Sequence, residues 1–447
     1  MSLKTETLLT APPLRLLLQM TGPNTAAFLI QSVVTLTEVW IISQLGTQGL
    51  AAIALVFPLL ILNQAMSAGA VGGAISSAIA RNLGKGDTDG AEKLIWQGFY
   101  LSFLVATAFL AIFLVGGERF LRFLGGDGAI LQAAMDYCHV LFIGGYFIWL
   151  SSATSSVFRG CGNMVLPARL MIFASLAQVP LSGGLVLGWF GLPQLGVAGA
   201  ALSAILLNAV TGVIMLALLF QKTAGPVLRR AQAGWDGALM REILMVARPA
   251  SLSPLLTVAT ILGLTALVGR FGETALAGYG IGTRIEFLML PVIFAFGTAL
   301  TTIVGTNIGA GQYDRAEAAG WYGVLCAGLL AGGTGLLLAL FPNVWIPLFT
   351  SDPQVFAVAK QYIGIVGPAY AGLGIGLVLY FASQGAGAMR WPVLGTVLRF
   401  VASVGGASYC VLYLDMGLQA IFYAGALGMG LYAIFIAVAI FKGAWRP

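Results

Sequence analysis

Apolar residues along this chain fall in long runs, broken by short polar connections rich in glycine. About 20 mainly apolar residues, at 1.5 Å of rise each, make a helix that crosses the ~30 Å hydrocarbon core of a bilayer. The runs predict twelve such spans, at roughly 17–43, 49–79, 94–116, 134–157, 166–190, 196–220, 244–269, 276–305, 318–341, 356–384, 391–413 and 418–441. Several are dense in Gly, Ala and Ser, as in AMSAGAVGGAISSAIA and GIGLVLYFASQGAGA. Small residues let helix backbones approach closely inside a membrane.

The longest polar connection, KTAGPVLRRAQAGWDGALMREI, falls at mid-chain. It predicts three regions: an N-terminal six-helix bundle over 1–221, a cytoplasmic linker over 222–243 and a C-terminal six-helix bundle over 244–447. The two bundles read as repeats. GKGDTDGAEKLIWQG (84–98) matches GAGQYDRAEAAGWYG (309–323), with Gly84, Gly86, Asp89, Ala91, Glu92, Trp96 and Gly98 recurring as Gly309, Gly311, Asp314, Ala316, Glu317, Trp321 and Gly323. At the same offset FRGCGNMVLP (158–167) parallels SQGAGAMRWP (383–392), and QLGTQGLAA (44–52) parallels RFGETALAG (270–278) one residue later. Gly and Ala match easily by chance in this composition; a shared register of Asp, Glu and Trp does not. Six spans per half is an even number, so both halves enter the membrane from the same side and the repeats are parallel.

Composition agrees with a membrane protein and removes other classes. Hydrophobic residues make up 59% of the 447 and charged residues 9%, with a mean hydropathy of +0.94. A soluble domain carries about 25% charge. A cytosolic enzyme, a nucleic-acid binder and a disordered chain are therefore excluded. The net charge of +6 reflects topology. Of the 22 Lys and Arg, only Arg119, Arg122, Arg270 and Lys360 fall on one side of the predicted spans and Arg284 lies within one, which leaves seventeen on the other side. Positive residues stay inside, so both termini are expected in the cytoplasm and the protein in the inner (plasma) membrane. Trp40, Trp189 and Trp345 then belong to the outer interface, and Trp96, Trp321 and Trp391 to the inner one. The amphipathic start carries no cleavable signal pattern, so the first span is expected to serve as the targeting signal. Cys138, Cys161, Cys326 and Cys410 are isolated, and His139 is the one histidine. Neither a disulfide framework nor a metal site is expected.

Charge inside a bilayer is costly and marks function. Glu38 lies in the first span, in SVVTLTEVWIISQLG, with Gln31 and Thr35 seven and three residues before it. All three can share a helical face. A carboxylate aimed from that face into a polar cavity exchanges a proton or helps to bind a monovalent cation; the alternative is a side chain that only reaches water at the outer helix end. Glu286 and Arg284, near the start of the eighth span, are two residues apart and point in different directions. Glu286 either lines the cavity of the second half or pairs structurally with a neighbouring helix. Asp136 and His139, three apart at the start of the fourth span, are either a proton relay or an interfacial hydrogen-bonded group. The two matched glycine loops lack the Lys-Ser/Thr of a P-loop and read as turns, with acids suited to helix N-termini. No Walker signature is present, so ATP is not expected to drive the protein, and no catalytic cluster is present, so it is not expected to be an enzyme.

These residues resemble the multidrug and toxic compound extrusion (MATE) transporters, prokaryotic type, over essentially the whole chain. The resemblance rests on Pro23 in the first span, EVWIISQLG (38–46) with LAA (50–52) behind it, the GKG loop, RGCGN (159–163), QLGVAGAALS (194–203) and TALAGYGIGTRIEF (274–287), taken in order and with the six-plus-six symmetry. It implies an all-α polytopic membrane protein, twelve transmembrane helices in a V-shaped pair of six-helix bundles, that exports cationic or amphiphilic small molecules by alternating access against proton or sodium entry. The family commonly has an Asp eight residues before the Gly of the first turn; here Glu38 stands eight before Gly46. Many prokaryotic members add Asn and Asp four apart in the fifth span, where this chain has Gln178 and Ser182. The second carboxylate is absent, so the resemblance implies a cation-coupling site of Glu38 with neutral Gln178 and Ser182. One carboxylate suits a proton better than sodium, which needs several oxygen ligands.

The competing reading within the same architecture is a lipid-linked oligosaccharide flippase, which would place several basic residues in its cavity; only Arg284 reads as membrane-embedded. An intramembrane transferase or a channel fits less well, for want of a catalytic cluster or a filter loop. The expected partners are drugs or organic cations and membrane lipid, with no nucleic acid, no cofactor beyond the coupling ion, and a monomeric state. Phe28, Tyr146, Tyr370 and Tyr380, with Gln31 and Thr35, are candidates for a cavity that stacks against aromatic cations, helix packing being the alternative for each.

Overall fold

The computed structural model describes residues 5–221, 228, 229 and 232–446. Among these all regular secondary structure is helical. A short helix α1 (Thr5–Thr10) leads into α2 (Pro13–Ser43). The second span runs from α3 (Thr47–Gln64) through a π-helical segment, Ala65–Val71, into α4 (Gly72–Gly84). Next come α5 (Thr88–Phe123), α6 (Gly128–Ile143), α7 (Gly145–Gly160), α8 (Val165–Leu187) and α9 (Val197–Leu219). The second half repeats the series with α10 (Gly237–Gly269), α11 (Glu273–Gly309), α12 (Tyr313–Leu340), α13 (Pro353–Val366) and α14 (Tyr370–Ala386). It ends with α15 (Arg390–Phe400), which passes through π-helical Val401–Gly405 into α16 (Gly406–Leu412), and with α17 (Gln419–Phe441). Among the described residues ten helices are long and apolar enough to cross a membrane, and up to twelve spans result if each of two bent pairs counts as one. The bent pairs are α6 with α7, at 49°, and α13 with α14, at 53°. They are the fourth span of each half.

Local chemistry sets these boundaries. Left-handed glycines at matched places close three pairs of turns: Gly46 and Gly272 (φ 88° and 94°), Gly86 and Gly311 (79° and 74°), Gly162 and Gly387 (79° and 77°). Only glycine takes this conformation without strain, so the duplication read from sequence is also a duplication of backbone geometry. Asp87 Oδ1 accepts from Gly90 N at 2.8 Å and caps α5, and Asp352 does the same for Gln354 N behind Pro353 at the start of α13. The acids of the matched loops act there as turns and caps, without phosphate-binding geometry.

The described residues form two compact units, Thr5 with Gly22–Met245 and Glu6–Thr21 with 246–446. This departs from the division expected at 221 and 244. Residues 6–21 belong with the second unit because Leu8, Leu16, Leu17 and Met20 are buried there, Asn307 Nδ2 donates to the Leu8 carbonyl at 3.3 Å, and the Arg315 guanidinium donates to the Ala11 carbonyl. Residues to Met245 belong with the first unit for an analogous reason: Asn82 Nδ2 donates to both Glu242 carboxylate oxygens (3.1 and 3.2 Å), joined by Arg81 at 3.3 Å. Asn82 and Asn307 are themselves a matched pair in the repeats. The expected linker falls partly on 222–227, 230 and 231, outside the described residues. Its described part packs on α5, where Trp96 Nε1 donates to Arg229 O (3.0 Å) and Gln97 Nε2 to Gly234 O (2.8 Å). Arg399, counted with the loops on sequence, is instead buried nine residues into α15.

Candidate functional site

In the first unit α2 and α8 carry polar side chains toward each other inside otherwise apolar helices. On α2 these are Asn24, Gln31 and Glu38, spaced by seven residues, a spacing that returns to nearly the same helical face after two turns. Asn24 Nδ2 donates to Met164 Sδ at 3.4 Å, Ser175 Oγ donates to Gln31 Oε1 at 2.8 Å, and Gln178 and Ser182 meet Glu38. Gln178 Nε2 donates to both carboxylate oxygens, at 3.2 and 3.3 Å, and Ser182 Oγ donates to Oε1 at 3.3 Å. Gln178 and Ser182 lie four residues apart on one face of α8, to either side of Pro180, whose missing N–H loosens the helix there.

Ser182 is fully buried, while Glu38 and Gln178 are half-buried. Both partners are neutral, and no ion pair involves Glu38 among the described residues. No protein charge therefore compensates the carboxylate, and a carboxyl group so placed is suited to take up a proton or a small cation. Sequence reasoning missed two members of this polar row, Asn24 and Ser175, whose signal was their register: Asn24 stands seven before Gln31, and Ser175 seven before Ser182.

Other candidates sit apart from this group. Thr35 is exposed and its hydroxyl returns to the Gln31 carbonyl of its own helix (2.9 Å), so it does not join the partners on α8. Phe28 lies under the Arg159 guanidinium, 5.7 Å from its ring centroid, so the cation it stacks on belongs to the protein. Tyr146 packs on Phe103 (5.0 Å) and its hydroxyl meets Thr107 (3.1 Å) along the α5–α7 seam, away from Glu38. Tyr380 is buried and pegs α14 to α10 through the Ala250 carbonyl at 3.0 Å, a packing role. The Asp–His relay does not form: Asp136 accepts from Gln132 Nε2 (2.9 Å), and His139 packs edge-on against Phe113 (5.6 Å).

In the second unit Glu286 stands thirteen residues into α11 and is half-buried, and no ion pair involves it among the described residues. Tyr370 is fully buried and its hydroxyl is 3.4 Å from that of Tyr362. Arg284 is not its partner and lies over the Phe349 ring at 5.0 Å.

Fold and site together define a multi-pass helical membrane transporter built from a duplicated bundle. The MatE family model matches the chain twice, over 23–182 and 249–407, one copy in each repeat. The protein thus belongs to the MatE (MATE) family, whose members are transporters and include multidrug efflux proteins. It is similar to a Shewanella oneidensis protein named FAD transporter, 28% identical over 84% of this chain and 82% of that one. It is also similar to a Thermotoga maritima protein named probable multidrug resistance protein NorM, 26% identical over 76% and 73%. A solved Pyrococcus furiosus transporter of the MOP superfamily has the same fold, with a TM-score of 0.91 and 24% identity over the whole of both chains.

Proposed function

We propose that the protein is a secondary active exporter of cationic or amphiphilic small molecules, driven by antiport against protons in preference to sodium. It works as a monomer in the inner (plasma) membrane with both termini in the cytoplasm. The observation that carries this reading is the Glu38 carboxylate, held by two neutral side chains deep in an apolar bundle. An antiporter needs a group that changes charge or cation occupancy during its cycle, and a half-buried carboxylate with no fixed counter-charge is such a group. Proton coupling is favoured over sodium by the ligand set. Gln178 turns its amide nitrogen to Glu38, which leaves only the carboxylate and the Ser182 hydroxyl to offer oxygen at that point. The orientation is supported by the excess of Lys and Arg in alternate connections.

The test uses the full chain in proteoliposomes, with ethidium as probe and a pH gradient or a sodium gradient imposed in turn. Ethidium efflux driven by the pH gradient, and lost in Glu38→Gln, is the expected result. Efflux driven by sodium alone would overturn the proton assignment. Because the Shewanella oneidensis relative is named for FAD, an anionic dinucleotide with a flat aromatic end, FAD belongs beside ethidium as a second probe. Transport of FAD without ethidium would replace the cationic substrate class.

A further inference from the structure

Among the described residues only two other than glycine take a positive φ, Phe190 at 59° and Asp415 at 48°. They stand one repeat offset apart, each in the connection that follows the fifth span of its unit. The two turns share more than that angle. In the first, Leu195 N donates back to the Leu185 carbonyl at 2.8 Å; in the second, Met416 N donates back to the Cys410 carbonyl at 3.0 Å, and Leu185 and Cys410 are matched by the same offset. The left-handed residue therefore belongs to the duplicated backbone. What fills it differs. Asp takes this conformation readily, because its short polar side chain bonds locally. A bulky side chain there is strained, whereas Gly188 and Gly191 on either side of Phe190 hold positive φ (82° and 75°) without strain.

Packing within the protein offsets little of that strain, since Phe190 is 80% exposed. Its neighbour Trp189 turns back onto α8, with its ring laid on Gly183 where no Cβ would fit. Leu192 and Leu195 are exposed too, and the connection GWFGLPQLG (188–196) carries no charged side chain. It joins α8, ending at Leu187, to α9, starting at Val197, and both helices are long and apolar enough to cross a membrane. The chain thus leaves and re-enters the bilayer through this one apolar turn. We propose that Phe190, with Leu192 and Leu195, inserts among the phospholipids at the interface of that leaflet, and that burial in lipid offsets the strained turn. Apolar side chains gain by leaving water, and aromatic rings are favoured at this level of a membrane. The matched turn exposes Tyr413, Leu414 and Met416 around Asp415. Its carboxylate keeps that tip in water, because a charge is costly in lipid, so the second unit's turn sits shallower than the first's. The inference rests on α8 and α9 being membrane spans, and on neither the coupling ion nor the substrate.

The experiment places a nitroxide on Phe190→Cys or on Asp415→Cys in the full chain, with Cys138, Cys161, Cys326 and Cys410 replaced by alanine, in liposomes of phosphatidylcholine and phosphatidylglycerol. Power saturation then compares collisions with oxygen, which concentrates in lipid, and with nickel-EDDA, which stays in water. At 190 oxygen should dominate, with nickel collisions at least ~5-fold fewer than at 415, as for a side chain held in the headgroup–acyl boundary. Equal nickel collisions at the two positions would overturn the inference. So would few collisions with both reagents at 190, the mark of a protein surface covering the ring. If the cysteine variants do not fold, the unmodified chain decides. Phosphatidylcholine carrying a diazirine at the glycerol end of one acyl chain is photolysed around it, and adducts are mapped by mass spectrometry. An adduct within residues 189–195 supports the insertion, and adducts on α8 and α9 with none in that turn sink it.

Discussion

The two units are built on the same turns and differ in their interior charges. Matching by the repeat offset, Glu38 corresponds to Leu264, Gln178 to Ser403 and Ser182 to Ala407. In the other direction Arg399 corresponds to Ala174, and Glu286 falls opposite Leu60 or Ile61. Neither acid has a counterpart in the other repeat. The features that are kept are those a bundle needs to fold: left-handed glycines at three turns, the bend in the fourth span, and an acid at the start of the third. Even the clasp at that acid recurs, with Glu92 meeting Arg229 at 3.3 Å and Glu317 meeting Arg446 at 2.8 Å, each arginine following the last helix of its repeat. Interior charge is free of such constraint, because one methylene-rich seam packs as well as another while a single carboxylate changes the chemistry. Duplication thus preserved the scaffold, and divergence placed the interior carboxylates at unmatched positions.

Substitutions at five positions test that contrast, and the largest effect is expected at Glu38. Glu38→Gln keeps the shape and a hydrogen-bonding end but fixes the site neutral; efflux of ethidium under a pH gradient should fall at least ~100-fold, a loss of about 2.7 kcal/mol of driving interaction, while the melting temperature in detergent stays near that of the wild type. Glu38→Asp should keep partial activity. Glu286→Gln should behave differently. It breaks no ion pair among the described residues, so efflux and melting temperature should both stay near those of the wild type. Efflux that falls more in Glu286→Gln than in Glu38→Gln would invert the comparison.

Gln178→Ala removes two hydrogen bonds to a charged group, each worth ~1.5–3 kcal/mol at most. Efflux should slow about tenfold, and Ser182→Ala should have less effect, since it removes a single longer contact. Equal loss from both would mean that Ser182 holds the carboxylate as strongly as Gln178. The smallest effect belongs to the clasp. Arg446 is about half exposed, so its pairs with Asp314 and Glu317 are screened by solvent. Arg446→Ala should cost about 1 kcal/mol or less and shrink further in high salt, measured by denaturation at two ionic strengths.

Much of this was readable along the chain, for local reasons. Apolar run length marks spans because a bilayer has one thickness, and the Gly-rich turns mark their ends because few other residues turn that way. Glu38 stood out because an acid in such a run has no local excuse. Its partners did not stand out in the residues alone: Gln178 and Ser182 are 140 and 144 positions away, reached through a family resemblance and brought to the carboxylate by the packing of α8 on α2. Asn24 and Ser175 stayed hidden, and Asp136 and His139, which spacing made attractive, turned to Gln132 and Phe113.

The amino-acid sequence by itself determined the helices, their duplication and the presence of one acid in each interior, since these depend on interactions within a turn or two of the chain. Only the tertiary structure decided that Glu38 meets Gln178 and Ser182, and to which unit the lead-in segments 6–21 and 237–245 belong. Those outcomes depend on side chains more than a hundred residues apart meeting across helix seams, where low dielectric makes each charge select its neighbours.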